Sequence, residues 1–403
     1  MLARLGGRYK VVVLVASITL FFLFPPFRIL FLETHRFLRH TNAFPSHIDY
    51  LRAKLTFTKT PLSDSIYQVQ NETLGFEEIY LISLPERTDK QDAFAIQAAF
   101  SNISYTLVDG VHGDEVSTKA LPHTMSQKAT IIGCWRAHLN IYQKMVHENV
   151  STALIFEDDA DWDVALKHQL VQFARASRFI GGIEDDHVAS SPYGDDWDVL
   201  WLGHCGTWVL PDDEHRFFVI PHDPTVQPPR LREENVAEPN MSHWRTGHDN
   251  GDQTRVVFRS EGAVCTAAYA ISQKGARKAL YSLSMIPYNA PVDWGIANLC
   301  KSKQYDFTCI SSWPQLIGVS RPTSHIAKWS DVERGTDFED EIREGGSHHL
   351  MYSVRQNIPE WLNGKTIFRS SHSDVGPPLP IDDIGKATGY AETLTSEQMG
   401  SYM

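Results

Sequence analysis

The stretch Leu154-Ile-Phe-Glu-Asp-Asp-Ala-Asp-Trp162 sets three carboxylates, Glu157, Asp158 and Asp159, directly behind a short apolar run. Adjacent carboxylates repel one another, so at a strand end they are costly unless water, hydrogen-bond donors or a cation share the charge. A hard divalent cation is one such partner, and it also neutralises phosphate oxygens. The plain alternative is a solvated strand end, or an acid-rich helix start ahead of Ala160-Asp-Trp-Asp-Val-Ala-Leu-Lys-His-Gln-Leu170. Other side chains able to do chemistry are scattered: Arg87, Lys90, His138, Asp293 and His325. Each has a modest alternative: an exposed basic helix start for Arg87 and Lys90, a hydrogen-bonded core histidine for His138, a helix N-cap for Asp293 and a surface histidine for His325.

The elements that must position these groups follow from periodicity. Glu77 to Leu84 is a β-rich apolar run, Pro85 to Phe100 carries helical spacing, and Ser104 to Gly110 reads as a short strand ending in a glycine turn, which makes β-α-β. Ile131, Trp135, His138, Tyr142 and Met145 recur three or four apart within Thr130 to Val150, the mark of an amphipathic helix. The strand from Ser151 then delivers the acidic triplet at its carboxyl end, where open α/β sheets bind ligands. Trp197 to Gly206 is a further strand, and the Pro-rich, charged Pro211 to Asp252 reads as a long surface excursion. Ala263 to Ser272 reads as a buried strand with Ser272 capping a helix to Leu283, Val292 to Lys303 as a helix, and Tyr305 to Val319 as a closing strand region. Beyond Phe368 the composition predicts that much of the tail is disordered.

The chain of 403 residues is 42% hydrophobic, enough for a sizeable core, and its net charge of −12 excludes a nucleic-acid backbone as partner because no cluster of Lys and Arg offsets it. Arg4, Arg8 and Lys10 precede an apolar stretch from Val11 to Phe27, followed by a second patch at Ile29 to Leu32. This predicts a cytosolic tail over 1–10, a signal anchor over 11–32 that partners the membrane, and a stem over 33–76, with a cleaved signal peptide or a buried hydrophobic helix as the alternatives to the anchor. A catalytic domain over 77–330 and a C-terminal extension over 331–403 follow. Four glycosylation sequons, at Asn71, Asn102, Asn149 and Asn240, lie on the side that such an anchor delivers to a lumen. The cysteines, Cys134, Cys205, Cys265, Cys300 and Cys309, are too few for a disulfide scaffold; Cys300 and Cys309 are near enough to pair, and free thiols are the alternative.

Four stretches in order, Ile79-Tyr-Leu-Ile-Ser-Leu-Pro-Glu-Arg-Thr-Asp-Lys90, Ile132-Gly-Cys-Trp-Arg-Ala-His-Leu-Asn-Ile-Tyr-Gln-Lys-Met145, Leu154 to Trp162, and Ala268 to Leu280 with Pro291-Val-Asp-Trp-Gly-Ile296 after it, resemble glycosyltransferase family 25. That group contains bacterial lipooligosaccharide galactosyltransferases and the collagen galactosyltransferases. The resemblance spans Glu77 to Ile326. It implies an α/β fold of GT-A type that binds a nucleotide sugar on a mixed, largely parallel central sheet, a UDP-hexose donor with galactose as the sugar, and a divalent cation such as Mn²⁺. By analogy, Asp159 ligates the metal, Glu157 takes the first acidic position against the ribose or a metal-bound water, and Asp158 orients one of them. Arg87 and Lys90 fall on the basic positions that approach the nucleotide, His138 on a substrate-contacting histidine, and His325 where a late metal ligand stands. The chain departs from the pattern at Ser83 for Asn, Lys90 for Arg and Ala137 for Ser. The family is inverting, so one carboxylate must take the acceptor proton, and Asp293 is the choice.

The acceptor implied is a glycan or glycoprotein hydroxyl, and the compartment the Golgi or endoplasmic reticulum membrane, single-pass, with the catalytic domain luminal. Two rival classes stand beside this: a non-catalytic luminal protein that keeps the fold, and a metal-dependent phosphoesterase. The second would need further His and Asp ligands for a second metal, and the sequence does not assemble them.

Overall fold

The computed structural model describes residues 65–183, 189–211, 214–232, 237–245, 253–302, 304–325, 329–332, 342–395 and 398. The expected anchor over 11–32 lies outside these residues, and among those described no helix is long and apolar enough to cross a membrane. Part of the expected stem belongs to the folded body: Val69, Leu74 and Phe76 are buried, and Phe76 stacks on Tyr193 with centroids 4.6 Å apart. Isolated apolar anchors without a period gave no sign of this in the sequence.

In chain order the elements begin with β1 (Glu78–Ser83), α1 (Thr88–Ser101), β2 (Thr106–Asp109), α2 (Ala129–Glu148), β3 (Thr152–Glu157), β4 (Ala160–Trp162) and α3 (Leu166–Ile180). There follow β5 (Val199–Gly203), β6 (Gly206–Val209), β7 (Arg216–Ile220), β8 (Arg255–Val264), β9 (Ala268–Ser272), α4 (Gln273–Leu280) and α5 (Val292–Ser302). The remainder is β10 (Cys309–Trp313), β11 (Ile317–Arg321), β12 (Ser324–His325), β13 (Ile342–Arg343), β14 (Gly346–His348), α6 (Val354–Leu362), β15 (Ile367–Phe368), β16 (Leu379–Pro380), α7 (Ile381–Ile384) and β17 (Tyr390–Thr393). As expected, Ser272 caps α4, its side chain accepting from the Gly275 N–H.

The main sheet runs β17-β7-β8-β10-β5-β9-β3-β1-β2, with β6 paired to β8. It is mixed. Three of its strand pairs are parallel, β1 with β2, β1 with β3, and β10 with β5. The other six are antiparallel, so the sheet is less parallel than expected. The reversal centres on β9, which runs against both β3 and β5.

Strand residues alternate between two cores, as a period of two requires. Ile79, Leu81, Leu154 and Phe156 face α1 and α3 through Phe94, Ala98, Leu170 and Phe173. Tyr80, Ile82, Ala153 and Ile155 face α2, α4 and α5 through Trp135, Tyr142, Ala276 and Ile296. The chain therefore leaves β1 over one face by α1 and reaches β3 over the other by α2. That crossing opens a crevice beyond the carboxyl ends of β1 and β3.

Two segments differ from the sequence reading. The excursion expected over Pro211 to Asp252 contains β7, which pairs in register with β8 from Phe217–Phe258 to Ile220–Arg255. The first half of β8 was hidden by Arg255 and Arg259: Arg255 is buried and its guanidinium pairs with Asp223 at 2.9 Å. The tail beyond Phe368, much of it expected to be disordered, carries β16, α7 and β17, and β17 extends the main sheet alongside β7.

Candidate functional site

The crevice is a cleft of about 410 Å³ whose lining includes Ser83, Lys90, Gly110, Cys134, His138, Glu157, Asp158, Asp159 and Asp331. Asp158 and Asp159 form a tight turn between β3, in the main sheet, and β4, which pairs with β11 in a second sheet. The triplet is thus neither a free strand end nor a helix start: α3 begins only at Leu166.

Each carboxylate has its own surroundings. Asp158 is buried; one oxygen meets Lys90 Nζ at 2.8 Å and the other accepts from Ser83 Oγ at 2.8 Å. Burial nevertheless holds its carboxyl above the ordinary range. Glu157 accepts from Thr266 Oγ1 at 2.6 Å and lies 3.4 Å from His138 Nε2. Burial pushes its carboxyl up, but His138, Thr266 and Lys90 together hold it below the usual range. Asp159 Oδ1 is sealed from solvent and finds no partner among the described residues. Burial, then the charges of Glu157 and Asp158, push this carboxyl up to about 6 against the pull of Lys90.

The turn that carries these groups is held from outside the sheet. Arg355, at the start of α6, donates through Nη2 to the carbonyls of Asp158 and Ala160 at 2.9 and 3.0 Å, and Ser320 N–H donates to the Asp159 carbonyl at 2.8 Å. Asp161 accepts from Ser347 at 2.6 Å and from Gln97 at 3.0 Å. The C-terminal extension is therefore part of the site's frame.

His138 is 1% exposed and closes a chain of hydrogen bonds: its Nδ1 meets Tyr269 Oη at 2.8 Å, and Tyr269 Oη meets Tyr142 Oη at 2.6 Å. His138 is thus a hydrogen-bonded core histidine whose ring, packed under β9, also reaches Glu157 at the cleft. Cys134, one turn earlier on α2, joins them: ligating atoms of Cys134, His138 and Glu157 all lie within 4.8 Å of one another. The expected set of Asp159, Glu157 and His325 forms no such cluster among the described residues. His325 sits on β12, does not line the cleft, and keeps a buried Nδ1 without a partner.

Arg87, before α1, grips Asp89 through two bonds of 3.0 Å and pairs with Asp331; Lys90 Nζ lies 3.0 Å from the same Asp331 oxygen. Asp293, in the first turn of α5, does not line the cleft. Its carboxylate accepts the N–H of Cys265 at 2.8 Å and that of Trp294 at 2.8 Å. Burial pushes it above the ordinary range, and the charge of Glu157 adds to this. Cys265 itself is joined to Cys205, and Cys300 to Cys309. Thr266, Tyr269, Arg355 and Asp331 escaped the sequence reading. Nothing in their local patterns marks them, because their roles arise from contacts with residues 109, 131, 197 and 241 or more positions away.

Residues 76–192 match the profile of Glycosyltransferase family 25 (LPS biosynthesis protein). Procollagen galactosyltransferase 2 of Homo sapiens is 22% identical over 337 residues, covering 78% of this chain and 45% of that protein. Procollagen galactosyltransferase 1-A of Xenopus laevis is 26% identical over 191 residues, 44% of this chain and 27% of that protein. Inactive glycosyltransferase 25 family member 3 of Homo sapiens is 22% identical over 318 residues, 71% and 44% respectively. The chain spans less than half the length of these curated relatives. The matched segment is the one that carries Lys90, His138 and the carboxylate turn between β3 and β4, and over it the chain resembles glycosyltransferase family 25.

Proposed function

We propose that this protein is a glycosyltransferase of GT-A type that moves a hexose, galactose by kinship with the named relatives, from a UDP-sugar to a hydroxyl of a glycan or glycoprotein, with inversion and with a divalent cation such as Mn²⁺. The observation that carries the reading is Asp159: a carboxylate oxygen buried without a partner, on the floor of the cleft at the ends of β1 and β3. Such an oxygen is costly as it stands and suits an oxygen-seeking cation. Asp159 and the neighbouring Glu157 would hold that cation, which supplies charge neutralisation for a diphosphate leaving group. His325, turned into β12, has no supporting contact for this role.

Within this reading Arg87 and Lys90 bind the diphosphate from the rim. His138 fixes Glu157, and Asp158 spends its charge on Lys90 rather than on the ligand. Asp293 takes the acceptor proton, burial having raised its carboxyl above the ordinary range and so made it a stronger base than a free carboxylate. The two disulfides and the exposed positions of Asn71, Asn102, Asn149 and Asn240 support a luminal setting in the Golgi or endoplasmic reticulum, with 11–32 as the anchor.

A non-catalytic binding role is favoured by one observation: Lys90 already compensates Asp158, as an internal cation would in a site that had given up its metal. Incubation with a panel of radiolabelled nucleotide sugars and glycan acceptors, with and without Mn²⁺, separates the two. Sugar transfer that needs Mn²⁺ supports the enzyme; nucleotide binding without transfer to any acceptor overturns it.

A further inference from the structure

At the edge of the cleft Lys90 and Asp331, which line it, meet Arg87, which lies just outside the lining. Arg87 Nη1 and Lys90 Nζ, three residues apart at the start of α1, converge on one oxygen of Asp331, the lysine at 3.0 Å. Lys90 is buried and Arg87 partly so, with side chains 10% and 13% exposed, whereas Asp331 is 31% exposed. Asp331 belongs to no helix or strand and is 241 residues from Lys90, yet it lines the cleft together with Ser330 and Val332. Arg87 also grips Asp89 and Lys90 also pairs with Asp158, so Asp331 is a third carboxylate shared by the two cations; two cations converging on one anionic oxygen is also how a phosphoryl oxygen is held in a protein.

The geometry points to Asp331 as an internal anion standing at the phosphate-binding position between Arg87 and Lys90, so that an incoming diphosphate must displace it. The inference rests on the reading of Arg87 and Lys90 as the diphosphate-binding pair and adds how that position is controlled. A carboxylate carries one charge and a pyrophosphate several, so exchange favours the ligand while single-charge anions are turned away. Asp331 thereby sets a threshold: only a multiply charged ligand gains enough from the two cations to replace it. The two cations also hold the Asp331 carboxyl below the usual range, which keeps it charged and competing at physiological pH.

The test uses the full chain and inorganic pyrophosphate, titrated calorimetrically without divalent cation at low ionic strength. Asp331→Asn removes the competing charge and is expected to bind pyrophosphate at least about fivefold more tightly than the parent, the scale expected of one lost charge-assisted contact near a surface. Asp331→Glu keeps the charge and is expected to stay close to the parent, which a merely structural role for this side chain would not require. Adding Arg87→Gln to Asp331→Asn should abolish the gain. Equal or weaker pyrophosphate binding by Asp331→Asn overturns the inference, since weaker binding would make Asp331 a latch over the ligand rather than its rival. Undetectable binding by both proteins overturns it as well. Transfer from nucleotide sugars is scored separately, so a protein that shows the pyrophosphate gain but no transfer refutes the proposed activity while leaving the role of Asp331 intact.

Discussion

Lys90 Nζ lies 2.8 Å from Asp158 Oδ1, and this pair is why three consecutive carboxylates can follow a buried strand. The lysine sits on α1, the aspartate on the turn after β3, and both are largely shielded from water. Removing one partner of a buried pair strands the other. Lys90→Met should therefore destabilise the fold by about 3 kcal/mol in urea denaturation. Adding Asp158→Asn should recover much of that loss. A single variant as stable as the parent would show that solvent, not Lys90, carries the charge.

Asp159 makes a separable prediction. Its carboxyl stands at about 6 against an ordinary 3.8, chiefly through burial. The native state therefore binds this proton more tightly than the unfolded chain, so stability falls as pH rises through that window and the cost persists above it. Asp159→Asn removes the cost: a gain on the order of 1 kcal/mol or more near pH 7.5, and none near pH 3.5. Thermal melts at the two pH values check the sign. The same variant should lose Mn²⁺-dependent UDP binding, and unchanged binding would mean that the turn holds no cation.

For Asp293 the expected split is kinetic. Asp293→Asn should keep UDP and Mn²⁺ affinity while transfer falls roughly a hundred- to ten-thousand-fold, the usual range for a lost general base. The asparagine oxygen can still accept one of the two N–H groups, from Cys265 or Trp294, so the local structure should persist. Full activity in this variant would move the base elsewhere, and Glu157 would be the next carboxylate to examine.

The Cys205–Cys265 bond joins positions 60 residues apart, beside the N–H that Asp293 accepts. On the chain-entropy estimate, its loss costs about 4 kcal/mol. The urea midpoint of Cys205→Ala with Cys265→Ala should fall accordingly, and by more than that of the pair Cys300→Ala with Cys309→Ala, which closes only 9 residues. Equal losses would mean that strain or packing, not loop closure, sets the effect.

Asn71, Asn102, Asn149 and Asn240 are all exposed. Protein from a secretory pathway should lose mass on enzymatic removal of N-glycans, and each Asn→Gln change at an occupied position should remove one glycan's worth. A mass unaffected by deglycosylation would refute the luminal assignment.

The sequence by itself determined the elements whose cause is local. Short unbroken apolar runs made β1 and β3, three-four spacing made α1 and α2, Ser272 capped α4, and the order of motifs placed the acidic triplet at a strand end. It also carried Lys90, His138 and Asp293 as residues of interest, since their types and neighbours are visible within a few positions. What it left open was decided by contacts across long stretches of chain. Whether Glu157 and Asp159 differ in proton affinity depends on His138, Thr266 and Lys90, which reach them only after folding. The direction of β9, and hence a sheet more antiparallel than its β-α-β start suggests, comes from which edges of β3 and β5 remain to be paired. The buried Arg255–Asp223 pair turned a charged stretch into a central strand, and the tail became part of the site because Arg355 found two carbonyls to hold. Periodicity records which face of an element is apolar; it does not record which distant partner neutralises a charge, and on this protein those partners define the cleft.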